Sequence, residues 1–312
     1  MTHKTIHVAY YDKKLKVINM SLVSSPLRYP GGKAELCEYI ENVIKVNDLC
    51  GCEFYEPFAG GASASIALLQ KGIITKAVLI EKDPLIYSFW KSVFEHTEDL
   101  CTLIDETRID IDTWNELKKY RSIEIPVSTM IPVLGFAGLF FNRTNFSGIL
   151  DAGPIGGQSQ EGKYKINCRF NKNRLIDIIS FISLYKDRVE VVWSDAISYL
   201  KNSRDYLLTR NSFAYIDPPY YDKGKSLYRH YFENKDHCEL ANLLKNCNFP
   251  WLLSYDNCVF INDLYNGKNS ELKRRTLYFD YSVRTSKKGK EILVSNLEIP
   301  PIEHASFAIS EM

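Results

Sequence analysis

The sequence lacks every compact signature of a metal or disulfide scaffold. Its eight cysteines stand at positions 37, 50, 52, 101, 168, 238, 247 and 258, with no CxxC pair and no tight Cys/His group. Structural zinc and a disulfide framework are therefore excluded as expectations, and no metal is called for. No run approaches the roughly 18 to 20 apolar residues that cross a bilayer. The first residues, MTHKTIHVAYYDKKLKV, lack the apolar core of a secretion signal. A reducing, cytoplasmic location without membrane attachment is the expectation. Charge of one sign is missing as well. Lys and Arg total 39 against 38 Asp and Glu, a net charge of +1. A chain so balanced attracts a polyanion only where its cations are concentrated on one face. Repeats and low-complexity tracts are absent.

What is present is ordinary globular composition, 45% hydrophobic and 25% charged over 312 residues. That length suits one core plus a smaller subdomain or insertion. Residues 1–20 read as an extension. Tyr29-Pro-Gly-Gly-Lys33 is a turn leading into ELCEYIENVIKV, whose apolar positions 36, 40, 43 and 44 share a helical face. Phe54-Tyr55 then runs into Glu56-Pro57-Phe58-Ala59-Gly60-Gly61, followed by a helix predicted to end at Gly72. Lys76–Ile80 reads as a buried strand stopping at Glu81-Lys82-Asp83, before a helix opened by Pro84. Strand, glycine turn, helix, strand and acid make up the βαβ grammar of a doubly wound α/β sheet. Further strands are expected at 189–193, 213–216, 251–254, 276–283 and 291–295. Residues 96–175 interrupt the alternation with an apolar helical stretch at 131–141 and a glycine-rich run to Gly162. They read as an insert between two parts of one catalytic domain, 21–95 and 176–312.

The glycine turn allows backbone to approach a ligand closely because no Cβ intervenes. Its spacing is not the GxGxxG of a pyrophosphate loop, so the expected ligand is one without phosphates. Glu81, 21 residues after Gly60, is placed to accept ribose hydroxyls, with Asp83 as the competing acid. Asp195, after the strand at 189–193, is a third candidate contact and equally a helix N-cap.

Phe213–Ile216 runs into Asp217-Pro218-Pro219-Tyr220. Two prolines cannot continue a ladder and hold the backbone in a stiff corner. Such a corner can aim the Asp217 carboxylate and the Pro218 carbonyl at one donor, with the Tyr220 ring above it. Two acceptors on a planar amino group favour a more tetrahedral nitrogen and free its lone pair for attack. The positive charge that develops is stabilised by Asp217. A base in a duplex reaches such groups only after flipping out, and Tyr220 would then stack on it.

These motifs resemble the DNA adenine methylase family, which includes the bacterial Dam enzymes. Pro26-Leu-Arg-Tyr-Pro-Gly-Gly-Lys33 is similar to its N-terminal cofactor motif and Glu56–Ser63 to its glycine motif. Asp217–Tyr220 falls on its catalytic motif, and Phe141–Gly148 resembles the opening of its target-recognition region. Ala62 stands where some members have glycine, and Glu81 where many have aspartate.

The resemblance implies a Rossmann-like methyltransferase sheet with a mainly helical target-recognition insert, and the alpha motif order of amino-methylating enzymes. It implies S-adenosylmethionine as cofactor, held by Tyr29, Lys33, Glu56, Phe58, Gly60, Glu81, Asp195 and Asp217. The implied reaction is N6-adenine methylation at specific sites in double-stranded DNA, by a monomer or weak dimer. A cognate restriction endonuclease is a possible partner.

Positive charge is local after all. Residues 273–290 carry seven cations against Asp280, a segment charge of +6. Such a strip neutralises several phosphates and makes binding salt-dependent. The insert adds cations among amides, a composition suited to reading guanine and adenine. The expected DNA contacts are Asn142, Arg143, Asn145, Lys163, Arg169, Arg284, Lys287 and Lys288.

Overall fold

The computed structural model describes residues 22–28, 34–266, 271–280 and 288–301. The N-terminal extension, Tyr29, Lys33, Arg284 and Lys287 lie outside the described residues, as does the side chain of Lys288. The first half orders α1 (Ala34–Val46), β1 (Glu53–Glu56), α2 (Ser63–Gln70), β2 (Lys76–Glu81), α3 (Pro84–Glu95), α4 (Thr97–Glu106), α5 (Ile111–Leu117), α6 (Ile131–Thr144) and α7 (Lys172–Ser183). The second half follows with β3 (Val189–Trp193), α8 (Ala196–Asn202), α9 (Arg204–Thr209), β4 (Ser212–Ile216), α10 (Gly224–Leu227), α11 (Asn234–Lys245), β5 (Trp251–Asp256), α12 (Val259–Tyr265), β6 (Lys273–Asp280) and β7 (Lys288–Ser295).

The strands form one seven-stranded sheet of order β3-β2-β1-β4-β5-β7-β6. The five strands β1 to β5 pair parallel, while β7 runs antiparallel to both β5 and β6. Successive side chains on a strand point to opposite faces, and each face is covered. Phe54, Ala77, Phe213 and Leu252 pack with α1 and α2 on one face. Tyr55, Val78, Ile80, Ala214 and Leu253 pack with α8, α11 and α12 on the other. This is the doubly wound α/β sandwich expected of the sequence. Its strand order reverses between β1 and β4, which opens a crevice at their C-terminal ends.

The region between α3 and β3 is mainly helical and shares a core with the sheet domain. Helix α6 is apolar almost all round and buried from Leu134 to Asn142. It crosses α3 so closely that a Cβ on Gly138 would lie 2.7 Å from the Leu85 carbonyl oxygen, and one on Gly135 2.6 Å from that of Ser88. The same core takes Leu79 of β2 and Val191 of β3. The expected insert boundary at 175/176 falls inside the unbroken helix α7. No helix among the described residues is long and apolar enough to cross a membrane.

Candidate active site

A cavity of about 630 Å³ occupies the crevice at the C-terminal ends of β1 and β4, within the size range of small-molecule sites. One wall is the turn after β1. Gly60 and Ala62 both take left-handed backbone, at φ 45° and 47°, which glycine adopts freely and alanine does not. The turn is locked from below. The Trp90 indole donates to the Gly60 carbonyl at 2.7 Å, and the Gly60 N–H donates to Glu81 Oε2 at 2.9 Å. The other Glu81 oxygen accepts the Asp83 N–H at 2.8 Å. An ionised carboxylate has about four acceptor sites, so two backbone bonds leave capacity toward the cavity. Burial, with Asp83 adding, pushes the Glu81 carboxyl up to about 7. Glu56 is buried and accepts the Ser65 N–H at 3.1 Å and its hydroxyl. Burial pushes it up to about 7 too, with Asp217 contributing.

Asp83 also lines the cavity, but its carboxylate has other work. It caps α3 by accepting from Leu85 N at 2.9 Å and pairs with Arg229 at 3.3 Å. Asp195 lines the cavity and is also an N-cap, accepting from Ser198 N at 3.0 Å. Burial raises its pKa, but the Ser198 bond and Lys82 at 3.1 Å outweigh it and hold it below the usual range. Asp195 thus caps α8 and lines the cavity at once. Phe58 meets Phe232 edge-on at 5.6 Å, closing one side.

The opposite wall is the tetrapeptide after β4. Asp217 and Pro219 line the cavity. Ser254, wholly buried on β5, donates to Asp217 Oδ1 at 2.8 Å and lies 2.8 Å from the Tyr215 hydroxyl. With its own proton directed at Asp217, Ser254 accepts from Tyr215, which orders the three groups as a relay into the carboxylate. Asp256, at the end of β5, accepts the N–H groups of Tyr221 and Asp222 at 2.9 and 3.0 Å. The Tyr220 hydroxyl donates to Glu291 Oε1 at 2.6 Å. Sequence reasoning missed Ser254, Asp256 and Glu291. Their signal was available as polar residues at strand positions whose neighbours are apolar.

The loop from Leu227 to Glu233 supplies further lining, and it too escaped the sequence. Arg229 bolts that loop to Asp83 and to the insert, where it reaches the Arg121 carbonyl and lies 3.7 Å from Asp151.

Three expected DNA contacts are corrected. Asn142 is 1% exposed, and its amide both accepts from Arg28 N at 2.6 Å and donates to Arg28 O at 2.7 Å. Asn145 is wholly buried, accepting from Trp114 Nε1 at 2.7 Å and donating to the Ile149 and Leu150 carbonyls. Arg143 is half-buried and donates to the Pro26 carbonyl at 2.7 Å, its pKa lowered to about 10 by burial and neighbouring arginines. These side chains hold backbone in place instead of facing a duplex. Lys163 and Arg169 are exposed. Beside them in the insert stand Phe146, 70% exposed, and Tyr164.

None of the curated protein sequences matches this chain. Among solved structures, a putative methyltransferase, yhhF, from Escherichia coli is similar at 12% identity and a TM-score of 0.36, over 87% of this chain and 92% of that one. The family model described as D12 class N6 adenine-specific DNA methyltransferase matches residues 29–279. The chain belongs to that family.

Proposed function

We propose that this adenine-specific DNA methyltransferase takes its methyl group from S-adenosylmethionine bound in the cavity between β1 and β4, and delivers it to the N6 amino group of an adenine flipped out of duplex DNA. The observation that carries the reading is the meeting of two walls in one crevice. The glycine turn with Glu81 lies on one side, and Asp217 braced by Ser254 lies on the other.

The residues fit that cofactor. Glu81 offers acceptor capacity for ribose hydroxyls, and Asp195 can take the amino group of the adenine ring. Backbone around Gly60 admits the amino acid portion without steric hindrance from side chains, and Glu56 and Phe58 line its approach. Tyr29 and Lys33 complete the proposed set. When bound, the cofactor supplies an electrophilic methyl group on a positively charged sulfur.

The chain's own residues do the rest. Asp217 and the Pro218 carbonyl grip the two hydrogens of the target amino group and turn its lone pair toward the cofactor side. The Asp217 carboxylate stabilises the positive charge that grows on the nitrogen. Pro218 and Pro219 keep the corner from relaxing. Tyr220 stacks on the extruded base, a contact worth about 1 to 3 kcal/mol. Lys163 and Arg169 of the insert, with Arg284, Lys287 and Lys288 of the basic strip, contact the duplex. Residues 96–175 act as the recognition region.

Transfer of tritium from labelled S-adenosylmethionine to unmethylated plasmid DNA, followed by nucleoside separation, tests the proposal. Label in N6-methyladenine is expected. Label in N4-methylcytosine, or none in DNA, refutes it. Sequencing the methylated adenines then gives the recognition site.

A further inference from the structure

Behind the catalytic corner, the sheet grips the chain at successive points. Ser254 holds the Asp217 carboxylate, and Asp256 holds the N–H groups of Tyr221 and Asp222. The main chain is thereby fixed on both sides of Tyr220. What these contacts leave undetermined is the torsion of the Tyr220 side chain itself. That side chain ends on Glu291, at 2.6 Å from Oε1.

Glu291 is 3% exposed and stands on β7 in register with Asp256 on one side and Leu277 on the other. A carboxyl group this deeply buried is costly unless it is hydrogen-bonded. An isoleucine or valine would satisfy β7 equally well as a strand residue. A carboxyl at this position instead gives the Tyr220 hydroxyl an acceptor.

We propose that Glu291 is a positioning residue for methyl transfer, fixing the plane of the Tyr220 ring through its hydroxyl so that the ring is already oriented when the target base arrives. The proposal rests on Tyr220 being the stacking platform. A ring anchored at both Cα and hydroxyl cannot swing about its side-chain torsions. The target base then meets one orientation instead of many, and the amino group arrives in line with the Asp217 carboxylate. Misalignment of this kind lowers the rate of transfer and leaves cofactor binding alone.

The test compares Tyr220→Phe, Glu291→Ala, their double variant, Glu291→Gln and Tyr220→Ala. Each is measured for kcat and KM on plasmid DNA, for cofactor affinity by calorimetry, and for fluorescence on a duplex carrying 2-aminopurine at the mapped target adenine. Tyr220→Phe and Glu291→Ala are each expected to lower kcat about tenfold, the loss of one hydrogen bond to a charged group. The double variant should fall no further, because both changes remove the same bond. Cofactor affinity should stay within about twofold, which a merely structural role for Glu291 would not allow. The flipped 2-aminopurine should fluoresce more brightly in both variants than in the parent, for want of stacking. Glu291→Gln, which keeps an acceptor, should recover most of kcat. A Tyr220→Phe variant with parental kcat and quenching overturns the proposal, even if Glu291→Ala fails to fold. If Tyr220→Ala is then impaired, the stacking role of Tyr220 survives. A Tyr220→Ala variant with parental behaviour removes the platform and the proposal with it.

Discussion

On the β1–β2 side, the cavity is lined by the glycine turn and by carboxyls that include Glu56 and Glu81, both pushed up to about 7. On the β4 side, Asp217 is tied by the Ser254 hydroxyl donated from the sheet behind it, and the residues after it are stiffened by Pro218 and Pro219. The first wall carries carboxyls that ionise near neutral pH; the second is braced by hydrogen bonds and prolines. That division suits a two-substrate transfer, where one partner must be captured and released while the reacting group stays in a fixed pose.

The largest effect is expected from Asp217→Ala, which removes the fixed wall's one charge. Turnover should fall about a thousandfold, while calorimetry shows cofactor affinity little changed. Loss of affinity comparable to the loss of rate would mean that the walls do not divide the work in this way. Glu81→Ala is the mirror case. Removing a charged acceptor should weaken cofactor binding roughly tenfold or more, with kcat at saturating cofactor largely kept.

Ser254→Ala leaves the Asp217 charge and removes its brace. A drop in kcat of about fivefold, with KM for both substrates unchanged, is the expected kinetic signature. The pH dependence of cofactor affinity sharpens the contrast further. Binding ribose hydroxyls and a sulfonium cation favours the ionised form of Glu81, so its pKa falls on binding and a proton is released below about pH 7. Affinity should therefore rise with pH up to about 7 and level off above it, by at most about tenfold per pH unit. Glu81→Gln should flatten the profile measured by calorimetry.

The smallest effect concerns stability. The folded-state pKa of Glu56 lies above its ordinary 4.5. Ionising it therefore destabilises the fold progressively as pH rises from about 4.5 to 7. Glu56→Gln should melt a few degrees higher than the parent at pH 8, with the difference fading below pH 4.5.

The sheet and both walls were legible in the sequence because each depends on short-range signals: apolar strand runs, a glycine turn, and a diproline corner. The order in which strands pair follows from connection rules that hold across α/β folds. Other features depend on long-range packing and left no local trace. Asn142 and Asn145 carry the same amides that read adenine in a groove. Only their burial under α5 and the segment 26–28 shows that they bond backbone. Ser254 reaches the diproline corner because β5 pairs with β4, and Glu291 because β7 inserts between β5 and β6, a register no single strand announces. Arg229 is one cation among many until the loop around it folds over Asp83. The insert is legible as an interruption of the strand–helix alternation, but not that Gly135 and Gly138 let α6 sink into α3 and merge the two cores.

The Asn142 amide grips both the N–H and the C=O of Arg28, and Arg143 holds the Pro26 carbonyl three residues before Tyr29. A helix of the recognition insert is thus latched to the segment that leads into the proposed cofactor motif. Any coupling between DNA and cofactor that runs through this latch must be mutual. Thermodynamic reciprocity then requires that whatever factor DNA applies to cofactor affinity, the cofactor applies equally to DNA affinity. Asn142→Ala cuts the latch, and the affinity of each substrate measured with and without the other tests whether it couples them.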